Sequence, residues 1–214
     1  MTQRIAIVLV SAAALAGASC RSAGGPPAPI VQPGAPGDAT RVVTAEQAAD
    51  ASRVQFTPAD VRFMQGMFGH HAQAVEMTAL LATRTESDEM RKLARRIEVS
   101  QTDEMAMMKD WLTARGQPLP DPHAHHAGDS ALMPGMLTAA EMQRLAAAKG
   151  AEFDRLFLQG MIKHHGGALT MVQELFATPG GGQEAEIFAF ASDVDADQRM
   201  EIDRMFGMLK ELQK

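Results

Sequence analysis

Apolar residues recur along most of this chain at spacings of three and four, with little of the strict alternation that marks half-buried strands. The pattern predicts helices. The first opens at Thr57-Pro58-Ala59-Asp60, where Thr57 suits the N-cap, Pro58 the first helical position and Asp60 the positive helix end. It is expected to run to about Arg84. A second helix should start near Glu86 and end at Arg115-Gly116, with Gly116 as C-terminal cap and Pro118 beyond it. Residues 117–137 read as a loop carrying Pro118, Pro120, Pro122 and Pro134. Helical pattern resumes at the capping box Thr138-Ala139-Ala140-Glu141 and breaks at Lys149-Gly150. A long helix follows from about Ala151 to Ala177, then a turn over Thr178 to Gly182, then a last helix to about Leu212.

The helical pattern repeats. Asp60, Phe63, Gln65, Gly66, Met67, His70, His71, Ala74 and Met77 recur as Asp154, Phe157, Gln159, Gly160, Met161, His164, His165, Ala168 and Met171, always at an offset of 94. A fainter echo at an offset of 97 links Ile97, Gln101, Glu104 and Met108 to Val194, Gln198, Glu201 and Met205. Two copies of a helical hairpin are therefore expected, and neither can bury its apolar stripe alone. Packed together they make an all-α four-helix bundle over residues 56–214.

Ahead of the bundle the chain changes character. Arg4 and the apolar run Ile5 to Leu15, followed by small residues at 16–19, read as an export signal over residues 1–20. Eleven residues are too few to span a bilayer permanently. Cys20 is the single cysteine and stands where a bacterial lipobox would place its lipidated residue, although Gly17 departs from the usual aliphatic. Ala16-Gly17-Ala18 would equally serve an ordinary signal peptidase, so both processing routes remain open. Lipidation at Cys20 would be the chain's one attachment to a membrane. Residues 21–55, rich in Pro, Gly and Ala, read as a tether.

Composition sharpens this picture. Of 214 residues 16 are Met, none is Tyr and aromatics make up 5%, which favours helix over strand. A net charge of −6 with no basic block argues against nucleic acid as a partner. Ideal helix geometry puts Met67 and His71 on one narrow arc, with Met64 on one flank and His70 and Met77 on the other. The second copy repeats this with Met161, His164, His165 and Met171. Thioether and imidazole suit Cu(I) and Ag(I) better than Mg²⁺, Ca²⁺ or Mn²⁺. Ligation needs neutral imidazole, so affinity should fall below about pH 6. Met67, His70, His71, Met77, Met161, His164, His165 and Met171 are the first candidate ligands. Met64, Met105, Met108 and Met205 come second. A further cluster is formed by His123, His125 and His126 with Met133 and Met136.

Met at helical spacing also serves as plain core filler, and a metal-free interaction module is the competing reading. Glu76, Glu104, Glu174 and Glu201 are expected to cap helices, pair with Arg or face water. Gly66, Gly160, Gly166 and Gly167 each cost about 1 kcal/mol inside a helix. Close helix approach or room for a ligand would justify them.

Met161-Ile162-Lys163-His164-His165-Gly166-Gly167-Ala168, with Met133-Pro134-Gly135-Met136-Leu137-Thr138 upstream, resembles domain-of-unknown-function family 305, a family of exported bacterial helical proteins. The likeness covers roughly Phe56 to Leu212 and includes Gly69-His70-His71-Ala72. It implies a ferritin-like four-helix bundle and copper handling through Met and His. A ferritin-like fold also raises a di-iron enzyme, but the Glu-x-x-His motif of such sites does not occur in this chain. No catalytic triad, phosphate loop or zinc cysteine pattern is present either. The expected function is extracytoplasmic, non-enzymatic binding of Cu(I), with Ag(I) as a second cargo. The expected partners are the metal ion, a copper-transport or envelope protein, and a second copy through an exposed Met face.

Overall fold

The computed structural model describes residues 29–32, 40–49, 55–122 and 132–212. The export signal, Cys20, His123, His125 and His126 lie outside the described residues. In chain order the elements are β1 (Ile30–Gln32), β2 (Arg41–Val43), α1 (Ala45–Ala49), α2 (Pro58–Ala79), α3 (Leu81–Arg84), α4 (Asp88–Ala114), α5 (Ala139–Ala147), α6 (Gly150–Ala177) and α7 (Ala185–Glu211). The all-α bundle expected from the repeat is the observed fold, with α2, α4, α6 and α7 as its four long helices.

Two local differences stand out. The segment read as a tether holds a small antiparallel ribbon, with Ile30 opposite Val43 and Val31 opposite Val42, followed by α1. Three-residue β-branched runs are too short to show alternation, so this pairing leaves no periodic trace. The first helix also breaks at Leu80 rather than running on to Arg84. Just before the break the Thr78 hydroxyl donates to the Val75 carbonyl at 2.8 Å, a back-bond that bends helices.

The caps follow the local signals. Thr57 and Asp60 form a reciprocal capping box, as do Thr138 and Glu141, while Ser87 caps α4 through the Met90 N–H. Asp60 does more than complement a dipole. It is fully buried, and its Oδ1 accepts from the Gly182 N–H at 2.7 Å, tying the start of α2 to the α6–α7 turn.

Helices α2 and α4 pack as one hairpin and α6 and α7 as the other, and the hairpins join mainly through α2 against α6. Two apolar clusters fill the interior. One gathers Phe63, Met64, Met67, Met108, Trp111 and Phe190 among others. The other gathers Met77, Leu93, Ile97, Phe157, Met161 and Met205 with their neighbours. Because α2 enters the first cluster with its N-terminal half and α6 with its C-terminal half, the two helices run antiparallel and meet at their histidines.

The segment between the hairpins clamps this crossing. Gln73 donates to the Leu137 carbonyl at 2.9 Å and accepts from the Leu137 N–H at 2.7 Å. On the α6 side, a Cβ at Gly167 would fall 1.8 Å from the Pro134 oxygen, so only glycine admits the loop. Gly135 takes φ +74° at that contact. Gly66 lies under the ends of Met133 and Met171, and Gly160 under Met77 and Leu137, so close approach accounts for these glycines too. Nothing in the structure explains Gly166, which faces open space.

Candidate metal centre

Between the two apolar clusters lies a polar layer. Helix α2 contributes His70 and His71, α6 contributes His164 and His165, α4 contributes Gln101 and Glu104, and α7 contributes Gln198 and Glu201. The four histidines are 0–1% exposed. Adjacent helical residues point about 100° apart, so each His pair divides its members between two neighbours. His70 and His164 face each other across the α2/α6 contact, with ring centroids 3.8 Å apart and planes tilted by 37°. His71 turns to α4, where its Nε2 meets Glu104 Oε2 at 2.5 Å. His165 turns to α7 and meets Glu201 Oε2 at 2.7 Å.

These contacts set the tautomers. His164 Nε2 lies 2.9 Å from the His70 carbonyl, and His70 Nε2 lies 2.9 Å from the Pro134 carbonyl. A carbonyl only accepts, so both nitrogens carry the proton and donate it. With Nε2–H engaged, the lone pair of a neutral ring sits on Nδ1. The Nδ1 atoms of His71, His164 and His165 are buried without a hydrogen-bond partner. An unmet buried acceptor costs roughly 1–3 kcal/mol.

Charge in the layer follows from burial. His164 titrates well below its ordinary value, first because burial penalises the imidazolium and then because His70, His165 and His71 crowd it. Burial alone would raise the Glu104 carboxyl, but the hydrogen bond from His71, the positive charge that ring carries when protonated, and the hydrogen bond from Ser100 outweigh it and hold the group low. The Ser100 hydroxyl donates to Glu104 Oε1 at 3.1 Å.

Thioethers flank the imidazoles on both sides. Met67, Met77 and Met161 are fully buried and Met171 nearly so. Met64, Met67, Met108 and Met171, with partly buried Met105 and Met133, belong to one cluster, and Met77, Met161 and Met205 to the other. Met77 and Met171 also pack reciprocally, each methyl lying over the other copy's glycine. Met133 settles on α2 over Gly66 and Gly69, and Met136 is buried.

The expectation for the glutamates holds only in part. Glu201 does pair with Arg96 at 3.9 Å, but both Glu104 and Glu201 also hold a buried histidine, a role not expected for them. The carboxylate–imidazole pairing is how proteins commonly orient a ligating His and raise its basicity. The offset of 97 had already matched Glu104 with Glu201 and Gln101 with Gln198. Spacing on one helix, however, does not say which neighbouring helix a carboxylate meets. Among the described residues no group of three or more His, Cys, Asp and Glu side chains is arranged to hold a metal ion. That holds for the four histidines as much as for an oxygen-rich di-iron set, and the donors the layer does offer are the unpartnered Nδ1 atoms of His71, His164 and His165, bordered by methionine sulfur. Such donors fit a soft monovalent cation.

Comparison with known proteins agrees with the geometry. No curated protein matches the chain. Solved structures do. A DUF305 fragment from Deinococcus radiodurans is 33% identical with a TM-score of 0.63, over 73% of this chain and 98% of that one. A DUF305 protein of Streptomyces coelicolor, taken to be secreted, is 32% identical with a TM-score of 0.61, over 72% and 94%. CopM in its Cu(I)-bound form is 28% identical with a TM-score of 0.57, over 73% and 98%, and CopM was also crystallised with Cu(II) and with silver. The signature of the domain of unknown function DUF305 matches residues 60–209, and on that match, over most of the chain, the protein belongs to the DUF305 family.

Proposed function

We propose that the protein is a non-enzymatic, extracytoplasmic Cu(I)-binding protein that buffers or delivers copper in the cell envelope. The observation that carries this reading is the set of buried Nδ1 lone pairs on His71, His164 and His165, left without hydrogen bonds between two clusters of thioethers. Coordination would satisfy those nitrogens while Glu104, Glu201 and the backbone carbonyls keep the Nε2 protons in place. His70, His71, His164 and His165 would be the nitrogen ligands, and Met67, Met77, Met161 and Met171 the sulfur donors. Cu(I) is cargo, held and released without a bond being made or broken in a substrate. The metal-bound forms of CopM, over nearly the whole of that chain, support the same class of ligand.

The location rests on the apolar N-terminal run and its small-residue tail, and lipid attachment at Cys20 is part of the proposal. No helix among the described residues is long and apolar enough to cross a membrane. The test is an anaerobic competition titration of metal-free protein against a chromogenic Cu(I) chelator. The protein should withdraw at least one equivalent. Replacing all four histidines with Ala should abolish the withdrawal while far-ultraviolet circular dichroism stays helical. No withdrawal by the wild type, at chelator concentrations that detect micromolar binding, would overturn the proposal and leave the metal-free interaction module.

A further inference from the structure

The buried layer meets the surface unequally in the two halves. Glu104 is 13% exposed at its side chain, against 6% for Glu201. Outside Glu104, in the seam between α4 and α7, lies an open cavity of about 250 Å³ walled by Met107, Phe190, Asp193 and Asp197 as well as Glu104 itself. A second cavity of about 380 Å³ shares Met107 and Phe190 with the first and reaches inward to Met64. Met107 is 55% exposed, which leaves its thioether, a soft donor, open to solvent at the cavity wall. Met64, Met67 and His71 stand at i, i+3 and i+7 on α2, so thioethers line one flank from the cavity to the buried imidazole.

The duplication supplies an internal control. At the offsets of 94 and 97, Met64 answers to Leu158, Met107 to Arg204, Asp193 to Arg96 and Asp197 to Ser100. The cavity equivalent to the second one, about 340 Å³, has Leu158 and Arg204 in place of Met64 and Met107, beside Met90, Met208, Glu89 and Glu211. Arg96, at the place equivalent to Asp193, lies 3.9 Å from Glu201. The contrast is therefore local: the cavity wall around Glu104 carries Met107 and Asp193, where the second half has arginine at both equivalent positions. We infer that the α4/α7 seam at Met107 is the entry site for a soft monovalent cation, which docks on Met107 and Met64 and passes inward to the His71 layer.

The electrostatics are consistent with that direction. The Asp197 carboxyl is held above its ordinary range by burial and by the charges of Glu104 and Glu201, only partly offset by Arg96. Arg115, which lines the second cavity with Met64 and Met107, is engaged by Glu184 and Glu186 at 3.2 and 2.8 Å. A negative vestibule with low-dielectric walls concentrates cations and speeds their capture.

This inference rests on the copper reading and is tested by rate. Cu(I) transfer from a chromogenic chelator to metal-free protein is followed anaerobically by stopped flow at several salt concentrations. M107R/D193R, which gives the first half the residues of the second, should slow uptake about tenfold or more and flatten its salt dependence. Release should slow as well, so equilibrium affinity changes less than rate. R96D/R204M should open the second end and speed uptake. D88N/E98R makes the same change in net charge at positions lining neither cavity and should leave the rate alone. Uptake by M107R/D193R at the wild-type rate, with wild-type salt dependence, overturns the entry site and leaves the buried centre standing. A wild type that draws no copper overturns the buried centre, and the entry site with it.

Discussion

In the first half of the bundle Glu104 holds His71 and looks out onto Met107 and Asp193. In the second half Glu201 holds His165 in the same way beside Arg96. The buried histidine–glutamate layer has kept its symmetry and the surface around it has not. A buried polar pair constrains both partners, because removing either leaves the other desolvated and unmet. Surface positions carry no such constraint and can diverge toward one-sided tasks. The linker breaks symmetry in a second way. It grips the first half through the Gln73 amide and the second by lying on bare backbone at Gly167, the position equivalent to Gln73.

That contrast in the linker contact gives the largest expected effect. Gly167→Ala forces a Cβ onto the Pro134 carbonyl and should destabilise by about 3 kcal/mol or more. Gln73→Ala leaves the Leu137 N–H and C=O unpaired and should cost about 2 kcal/mol. Urea denaturation of the two variants compares them directly. If Gly167→Ala is the milder, the second half does not depend on the loop lying where the structure puts it.

The glutamates come next. Glu201→Ala should cost roughly 2–3 kcal/mol and Glu104→Ala about 1 kcal/mol, because water can reach the vacated His71 side more easily than the His165 side. Equal losses in urea would mean that the first half is as closed as the second.

Acid should unfold the metal-free protein through the layer. Unfolded, His164 takes a proton near its ordinary value of 6.5; folded, it resists. The unfolded chain binds more protons below that pH, so stability falls as pH drops through about 6.5, by up to about 1.4 kcal/mol per pH unit. Glu104 adds a loss in the same direction below its ordinary 4.5. Denaturation midpoints measured between pH 7.5 and 4.5 should show the slope, and His164→Gln should make it shallower. A midpoint that does not move over this range would mean that the His164 environment is not dry.

The smallest effect is a gain. A Cβ at Gly166 meets nothing within 4 Å, so Gly166→Ala should stabilise by about 1 kcal/mol in thermal denaturation. A loss instead would reveal a contact at Gly166 that the packing does not show.

Much of the bundle was legible in the residues. Thr57 with Asp60 and Thr138 with Glu141 announce their helices because a capping box is made within four residues. The repeat exposes the histidine pairs because both copies preserve them at a fixed offset. Glu104 and Glu201 were in view as a matched pair, but their hold on the histidines was missed, since a salt bridge to Arg and a buried bond to imidazole use the same side chain. Met107 carries no mark of its own in the residues. Its meaning depends on a cavity whose other wall is α7, and on Arg204 standing at the equivalent place.

By itself the sequence determined the helices, their ends, the duplication and the softness of the donor set, all properties that arise within a turn or two of chain or from residue type alone. Tertiary structure decided which nitrogen of each imidazole is engaged, which carboxylate engages it, and which of the two glutamates lies nearer the surface. Those outcomes depend on contacts between residues 33 to 94 positions apart, where burial and a partner's distance govern the energetics and no local pattern records them.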